Sequence, residues 1–195
     1  MQIETLGNLN NPRVLVVGVF HGDEPQGEYL INSYYEKFKQ TNLMFIPRLN
    51  FSDTRVNCNG VDLNRNFPTK NWVLSEKNDY FGGEEPASEK ETQFVIELIE
   101  KYDFQVILTL HAPYKIVNYD GGDDTKVFNI VNGIARIMGY PVEASIGYPT
   151  PGSCGTWAGV EKGILTITLE LDDSVEVKVL EPNVFDVFKF LESIG

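Results

Sequence analysis

Apolar positions in this chain fall into short unbroken runs, separated by stretches with a helical period. RVLVVGVF (13–20), NLMFIPRL (42–49), FQVILTLH (104–111) and GILTITLEL (163–171) are continuous rather than alternating, the pattern of strands covered on both faces. KIVNY (115–119) reads as a further short strand. Between them, EPQGEYLINSYYEKF (24–38), TQFVIELIEKY (92–102), TKVFNIVNGIARIMG (125–139) and EPNVFDVFKFLESIG (181–195) carry apolar residues at helical spacing. Ser88 and Glu91 have capping-box spacing ahead of the second helix, Gly139 is placed to stop the third, and Pro182 is expected at the start of the last. Alternating strands and helices predict an α/β fold: a single domain over 1–195, with a mixed twisted β-sheet and helices on both faces.

Residues 49–87 break this rhythm. They are rich in Asn, Asp, Gly and Pro and lack a sustained period, and a structureless stretch of that length inside a compact domain is usually functional.

Composition narrows the function. The chain has 195 residues, 42% hydrophobic and 23% charged, which suits a folded domain able to bury about 70% of its unfolded surface. The formal charge of -12 repels phosphate backbones and anionic lipid, so neither nucleic acid nor a membrane is expected as a partner. An anionic small substrate would need local arginines. The start, MQIETLGNLN, has no basic region followed by an apolar core, no run reaches membrane-span length, and Cys58 and Cys154 lack metal or disulfide spacing; a cytoplasmic location is the expectation.

The chain's two histidines, His21 and His111, each directly follow an apolar strand run, and Glu170 sits near the end of another. Ligands in open α/β sheets gather at the carboxyl ends of strands. HGDE (21–24) admits two readings: a turn that leads into and caps a helix, or a metal grip by His21 and Glu24. Two histidines and a glutamate are a standard catalytic zinc set, with a short spacing between two ligands and a distant third. An acid inside ILTITLEL is costly unless it is paired or used.

The stretch RVNCNGVDLNRNFP adds what HxxE alone lacks. With His21 to Glu24, Arg55, Asp62 to Arg65, His111 and Glu170 in that order, the sequence resembles the zinc metallocarboxypeptidase family. GDEPQ, NGVDLNRNFP, PASEKETQ, HAPYKIVNYDG and IGYPTPGSCGTWAG further resemble its murein-peptide amidase branch, which hydrolyses the γ-D-glutamyl-meso-diaminopimelate bond of murein tripeptide. The resemblance implies a zinc carboxypeptidase-like fold and one Zn2+ held by His21, Glu24 and His111. It also implies Asp62 as hydrogen-bond acceptor for His21, Glu170 as general base, and Arg55 facing the oxyanion with Arg48 as the fallback. Asn64 and Arg65 would grip the substrate carboxylate, Tyr148 would cap the pocket, and the loop from Asn118 to Gly122 would contribute to diaminopimelate recognition. The competing readings are a carboxypeptidase of broader specificity, an N-acyl amino acid deacylase, and a catalytically silent muropeptide-binding protein.

Overall fold

In the computed structural model, residues 3–143 and 147–194 are described. Ile146, the first residue of the quoted IGYPTPGSCGTWAG, lies outside them, as do Met1, Gln2 and Gly195 at the two ends of the chain. The strands are β1 (Leu6–Gly7), β2 (Val14–Val17), β3 (Met44–Ile46), β4 (Val106–His111), β5 (Val117–Asp120) and β6 (Leu165–Glu170), and the helices α1 (Gln26–Lys37), α2 (Lys90–Lys101), α3 (Thr125–Met138) and α4 (Val177–Glu192). They form one six-stranded sheet in the order β1-β3-β2-β4-β6-β5. The four inner strands run parallel, and β1 and β5 lie antiparallel at the two edges. The mixed sheet expected from the pattern is the one observed.

Period-two alternation along the strands divides the core. Val14, Val16, Leu108, Leu110, Ile167 and Leu169 pack with apolar side chains of α1, α3 and α4, among them Ile31, Ile134 and Phe188. Leu15, Val17 and Ile107 face the other way, against Val95 and Ile99 of α2 and Trp157 of a π-helical segment at Gly155–Glu161. Continuous apolar runs in the sequence therefore mark strands buried from both sides, as expected.

Some local expectations held. Asp124 Oδ1 accepts from the Val127 amide at the start of α3, and Gly139 takes the left-handed conformation after its end, φ 71°. Two others are corrected. Ser88 does not cap α2: Glu89 is the capping residue, and the Ser88 hydroxyl donates to Glu89 Oε1 while accepting from Asn66 Nδ2. Pro182 does not start α4, which begins five residues earlier at Val177 and carries the proline inside it. There the missing amide costs only the bond to the Lys178 carbonyl, just past the first turn whose amides have no helical partner.

The long segment 49–87 contains little regular structure beyond a short 3-10 turn at Leu63–Arg65. Buried asparagines take the place of a backbone ladder. Asn57 Oδ1 accepts from the amides of Asn59 and Val61, and Asn66 spans the Gly82 carbonyl and the Glu89 amide. The Asn50 side chain bonds both the Arg55 carbonyl and the Ser52 amide.

Candidate metal and substrate site

Three strand ends deliver the candidate residues. His111 and Glu170 are the last residues of β4 and β6 and stand opposite each other in register. His21 lies just beyond β2, in a turn closed by the Glu24 amide donating to the His21 carbonyl. This turn can sit over the sheet because α1 approaches β2 through two glycines: a Cβ on Gly27 would fall 1.9 Å from the Gly18 carbonyl oxygen. Of the two readings of HGDE, the turn is real, but the capping residue of α1 is Pro25 and no side chain caps it.

His21, Glu24 and His111 each offer a ligand atom, and those atoms lie within 4.8 Å of one another. His21 Nδ1 donates to Glu24 Oε1 at 2.8 Å, and His111 Nδ1 reaches Glu24 Oε2 at 2.9 Å. The two Nδ1 atoms are 3.3 Å apart, and His111 stacks on Phe20 at 5.7 Å. Two imidazole nitrogens and a carboxylate converging from separate parts of the chain fit a divalent zinc with a position left for solvent or substrate. Two buried polar atoms without a hydrogen-bond partner among the described residues also belong here, His111 Nε2 and Glu170 Oε2.

The electrostatics agree with a cation site. Burial opposes charge on His21, yet hydrogen bonds to Asp62 and Glu24 overcome it and raise the imidazole to about 9. Burial likewise opposes charge on Glu24, which His111 and His21 nevertheless hold well below the ordinary carboxylate range. Zinc and a proton would compete for His21 Nδ1, so zinc binding should release a proton. Asp62, fully buried, accepts from His21 Nε2 at 3.2 Å and is lowered to about 2 by His21, Arg55 and Arg65 against its burial. Such a carboxylate fixes the imidazole with Nδ1 free for an ion. Asp62→Asn should therefore weaken zinc affinity by about 10- to 100-fold, read by competition with a chromogenic chelator.

Glu170 is buried at the strand end beside this cluster. Burial pushes its carboxyl above the ordinary range, His111 opposing and Glu24 adding to the rise. Arg55 lies alongside: its Nε and Nη2 both bond Asp62 Oδ2 at 3.0 Å, and Nη1 comes within 3.8 Å of Glu24 Oε1. Arg48 is elsewhere, donating to Glu28 and to the carbonyls of Asn50 and Gly22, so the fallback for the oxyanion is set aside.

Asn64 and Arg65 sit on the 3-10 turn. Asn64 Oδ1 accepts from the Cys154 amide, which ties this turn to the π-helical segment, and Arg65 Nη1 donates to the Asn64 carbonyl. Tyr148 lies 5.9 Å from the Arg65 guanidinium. One cavity is lined by His21, Glu24, Arg55, Asn64, Arg65, His111, Tyr148 and Glu170, so the sequence candidates other than Arg48 and the buried Asp62 share it.

Tyr80 escaped the sequence reading. Its ring covers the Arg55 guanidinium at 4.7 Å and meets Tyr148 edge-on at 6.3 Å. An aromatic in a polar, aperiodic loop was the available signal. Asp120 also lines the cavity, within the loop already suspected, and Gly155 and Thr168 stand with it.

The Zinc carboxypeptidase family model matches residues 35–188, and the chain belongs to that family. The matched span takes in Arg55, Asp62, Asn64, Arg65, His111, Tyr148 and Glu170 and begins after His21 and Glu24, whose membership in the cluster rests on the geometry above. Among curated relatives, murein peptide amidase A of Escherichia coli K12 is 34% identical over 115 residues, covering 53% of this chain and 46% of that protein. The enzyme of the same name from Vibrio campbellii is 28% identical over 182 residues, covering 83% and 70%. The chain thus spans about half the length of the first relative. The crystal structure of murein-tripeptide amidase MpaA from Escherichia coli O157 superposes with a TM-score of 0.80 at 23% identity, over 96% of this chain and 84% of that one. Carboxypeptidase A from Helicoverpa armigera superposes at 0.71 and 18%, over 93% and 59%. The fold is that of the zinc carboxypeptidases.

Proposed function

We propose that this chain is a zinc-dependent amidase of the carboxypeptidase type, which hydrolyses the γ-D-glutamyl-meso-diaminopimelate bond of murein tripeptide. The observation that carries the reading is the single cavity in which the His21–Glu24–His111 cluster, the buried Glu170 and two arginines meet. The murein peptide amidases among the relatives support the choice of substrate.

One zinc ion held by His21, Glu24 and His111 would polarise the scissile carbonyl and activate water. The remaining work belongs to side chains. Glu170 takes the proton of the attacking water on its unpartnered Oε2 and returns it to the leaving nitrogen as the amide C–N bond breaks. Its raised pKa brings the two transfers closer in energy. Arg55, braced by Asp62 and covered by Tyr80, presents guanidinium N–H groups to the developing oxyanion without reorganising during the reaction. Arg65, with Asn64, receives the carboxylate of the leaving residue, for which a planar guanidinium is suited. Tyr148 closes over that carboxylate.

Arg65→Ala should raise KM for the tripeptide by about 100-fold and leave a substrate with an amidated terminus nearly unaffected. We place the enzyme in the cytoplasm, as one catalytic domain over 1–195 acting in cell-wall peptide recycling or degradation. Among the described residues no helix is long and apolar enough to cross a membrane. The test of substrate is a comparison of kcat/KM for murein tripeptide, for ordinary C-terminal dipeptides and for N-acyl amino acids. Preference for the tripeptide is expected, and preference for either alternative overturns the amidase assignment.

A further inference from the structure

A second hollow adjoins the catalytic cavity. Arg65, Tyr80 and Tyr148 line both, so these three side chains form the wall between them. The Arg65 guanidinium stands 6.0 Å from the Tyr80 ring and 5.9 Å from the Tyr148 ring, and the two rings meet edge-on. On the other side of that wall the hollow is mainly apolar, with Val73, Pro149 and Pro151 around it. Its volume of about 390 Å³ lies within the roughly 300–1,000 Å³ of small-molecule pockets.

Charge singles this hollow out. In a chain of 28 acidic and 16 basic residues, it is lined by one arginine and no acid. Arg65 is buried, and the hydrogen bond its guanidinium makes among the described residues goes to the neighbouring Asn64 carbonyl. Arg55, by contrast, is held by Asp62 through two nitrogens. A guanidinium carries five N–H groups and a carboxylate meets two of them, so a substrate carboxylate in the catalytic cavity leaves donors over. Trp72 adds another: its indole N–H is buried with no acceptor among the described residues and stands close to Gly82, where a Cβ would come 3.2 Å from it. Donors without acceptors beside an apolar wall suit a ligand that brings both an anion and an apolar body.

The wall is also held in place. A Cβ at Gly82 would fall 2.4 Å from the Arg65 carbonyl oxygen and one at Gly152 2.1 Å from it, so two chain segments close directly on the Arg65 backbone. The hollow therefore exists before any ligand arrives.

We propose that this hollow is a second binding site, for a small apolar carboxylic acid whose carboxylate meets Arg65 across the wall from the metal cluster. Two carboxylates on one guanidinium repel each other, so this ligand and the substrate oppose each other's binding, and they do so by the same factor in each direction. The site itself stands apart from the hydrolase reading above; the antagonism rests on it, through the substrate carboxylate assigned to Arg65.

The test uses the full chain loaded with zinc and three probes: 4-bromobenzoate, the neutral 4-bromobenzamide and acetate. Calorimetry should show 4-bromobenzoate binding at least about 10-fold more tightly than either of the others, since it alone joins an apolar body to a charge. Diffraction on both sides of the bromine absorption edge should place the bromine in the hollow, among Val73, Pro149 and Pro151. Val73 is exposed and has no part in the proposed chemistry. Val73→Asp should weaken the probe by about fivefold and Val73→Lys should strengthen it, with tripeptide hydrolysis in the absence of probe unchanged in both. The bound probe should raise KM for murein tripeptide without lowering kcat. Equal affinity for 4-bromobenzamide, a bromine peak in the metal cavity instead, or a probe affinity that neither Val73 variant moves would each overturn the proposal. So would a probe bound in the hollow that leaves KM for a cleaved tripeptide unmoved. A chain that holds the probe in the hollow but cuts no murein tripeptide upholds the site and overturns the amidase reading instead.

Discussion

Replacing Glu170 with glutamine should lower kcat by about 10⁴-fold with zinc content unchanged, the upper range for loss of a positioned acid-base group. The substitution is nearly isosteric and keeps a hydrogen-bonding group at the end of β6, so the Glu170 amide bond to the Ile116 carbonyl and the pairing with His111 should persist. What it removes is the site that accepts a proton. Substrate affinity should change little, because the carboxylate contact is assigned to Arg65. The pH profile gives a second check. Burial raises the Glu170 carboxyl, with Glu24 adding to it, so the protonated and inactive form should accumulate at higher pH than for an ordinary glutamate near 4.3. Activity in wild type should therefore fall as pH drops, with an acid limb above that value. The residual activity of Glu170→Gln should lack that limb wherever zinc remains bound. Equal activity in variant and wild type would remove the proton shuttle from the account.

Removal of the metal should have the second large effect. Treatment with a strong chelator should reduce hydrolysis by at least about 10⁴-fold, since both carbonyl polarisation and water activation are lost together. One equivalent of zinc should restore it. His111→Ala should show the same loss without rescue, because two ligands from one turn do not hold the ion as three do. The apo protein should also be less stable. A metal present at a thousand times its dissociation constant adds about 4 kcal/mol to the folded state, so apo protein of this size should melt roughly 10 °C lower. The buried contacts among His21, Glu24 and His111 in the absence of an ion temper that difference, since the cluster is already hydrogen-bonded.

Much of this centre was legible in the sequence, for a physical reason. Strands buried on both faces leave unbroken apolar runs, and a histidine or acid that ends such a run stands out because nothing in a core explains it. His111 and Glu170 stand out in that way, and HGDE adds two further candidate ligands at a spacing one turn can close. The aperiodic stretch 49–87 was read as functional, and it does supply Arg55, Asp62, Asn64 and Arg65. Three of its asparagines, Asn50, Asn57 and Asn66, are scaffold, satisfying buried backbone groups where no ladder exists.

What stayed hidden had weak local signals. Leu6–Gly7 is too short for any periodicity to mark β1. The beginning of α4, VKVLE, alternates β-branched residues in a strand-like way, and its proline reads as a helix start although the helix is already one turn old. The Gly155–Glu161 segment, GTWAGVE, has two glycines and the wider π-helical period, so it matches no usual template. Tyr80 and Asp120 were hidden for a different reason. Which way a side chain faces in a loop or at a sheet edge is set by tertiary contacts, and spacing cannot report it.

The account as a whole depends on three side chains, contributed by the β2–α1 turn and the end of β4, enclosing one cation in the cavity that also holds Glu170. Diffraction from zinc-loaded crystals on both sides of the zinc absorption edge tests this directly. The account predicts a single anomalous peak enclosed by His21 Nδ1, the Glu24 carboxylate and His111 Nδ1. A well-ordered cavity with no peak there, or zinc bound only at other residues, would contradict it.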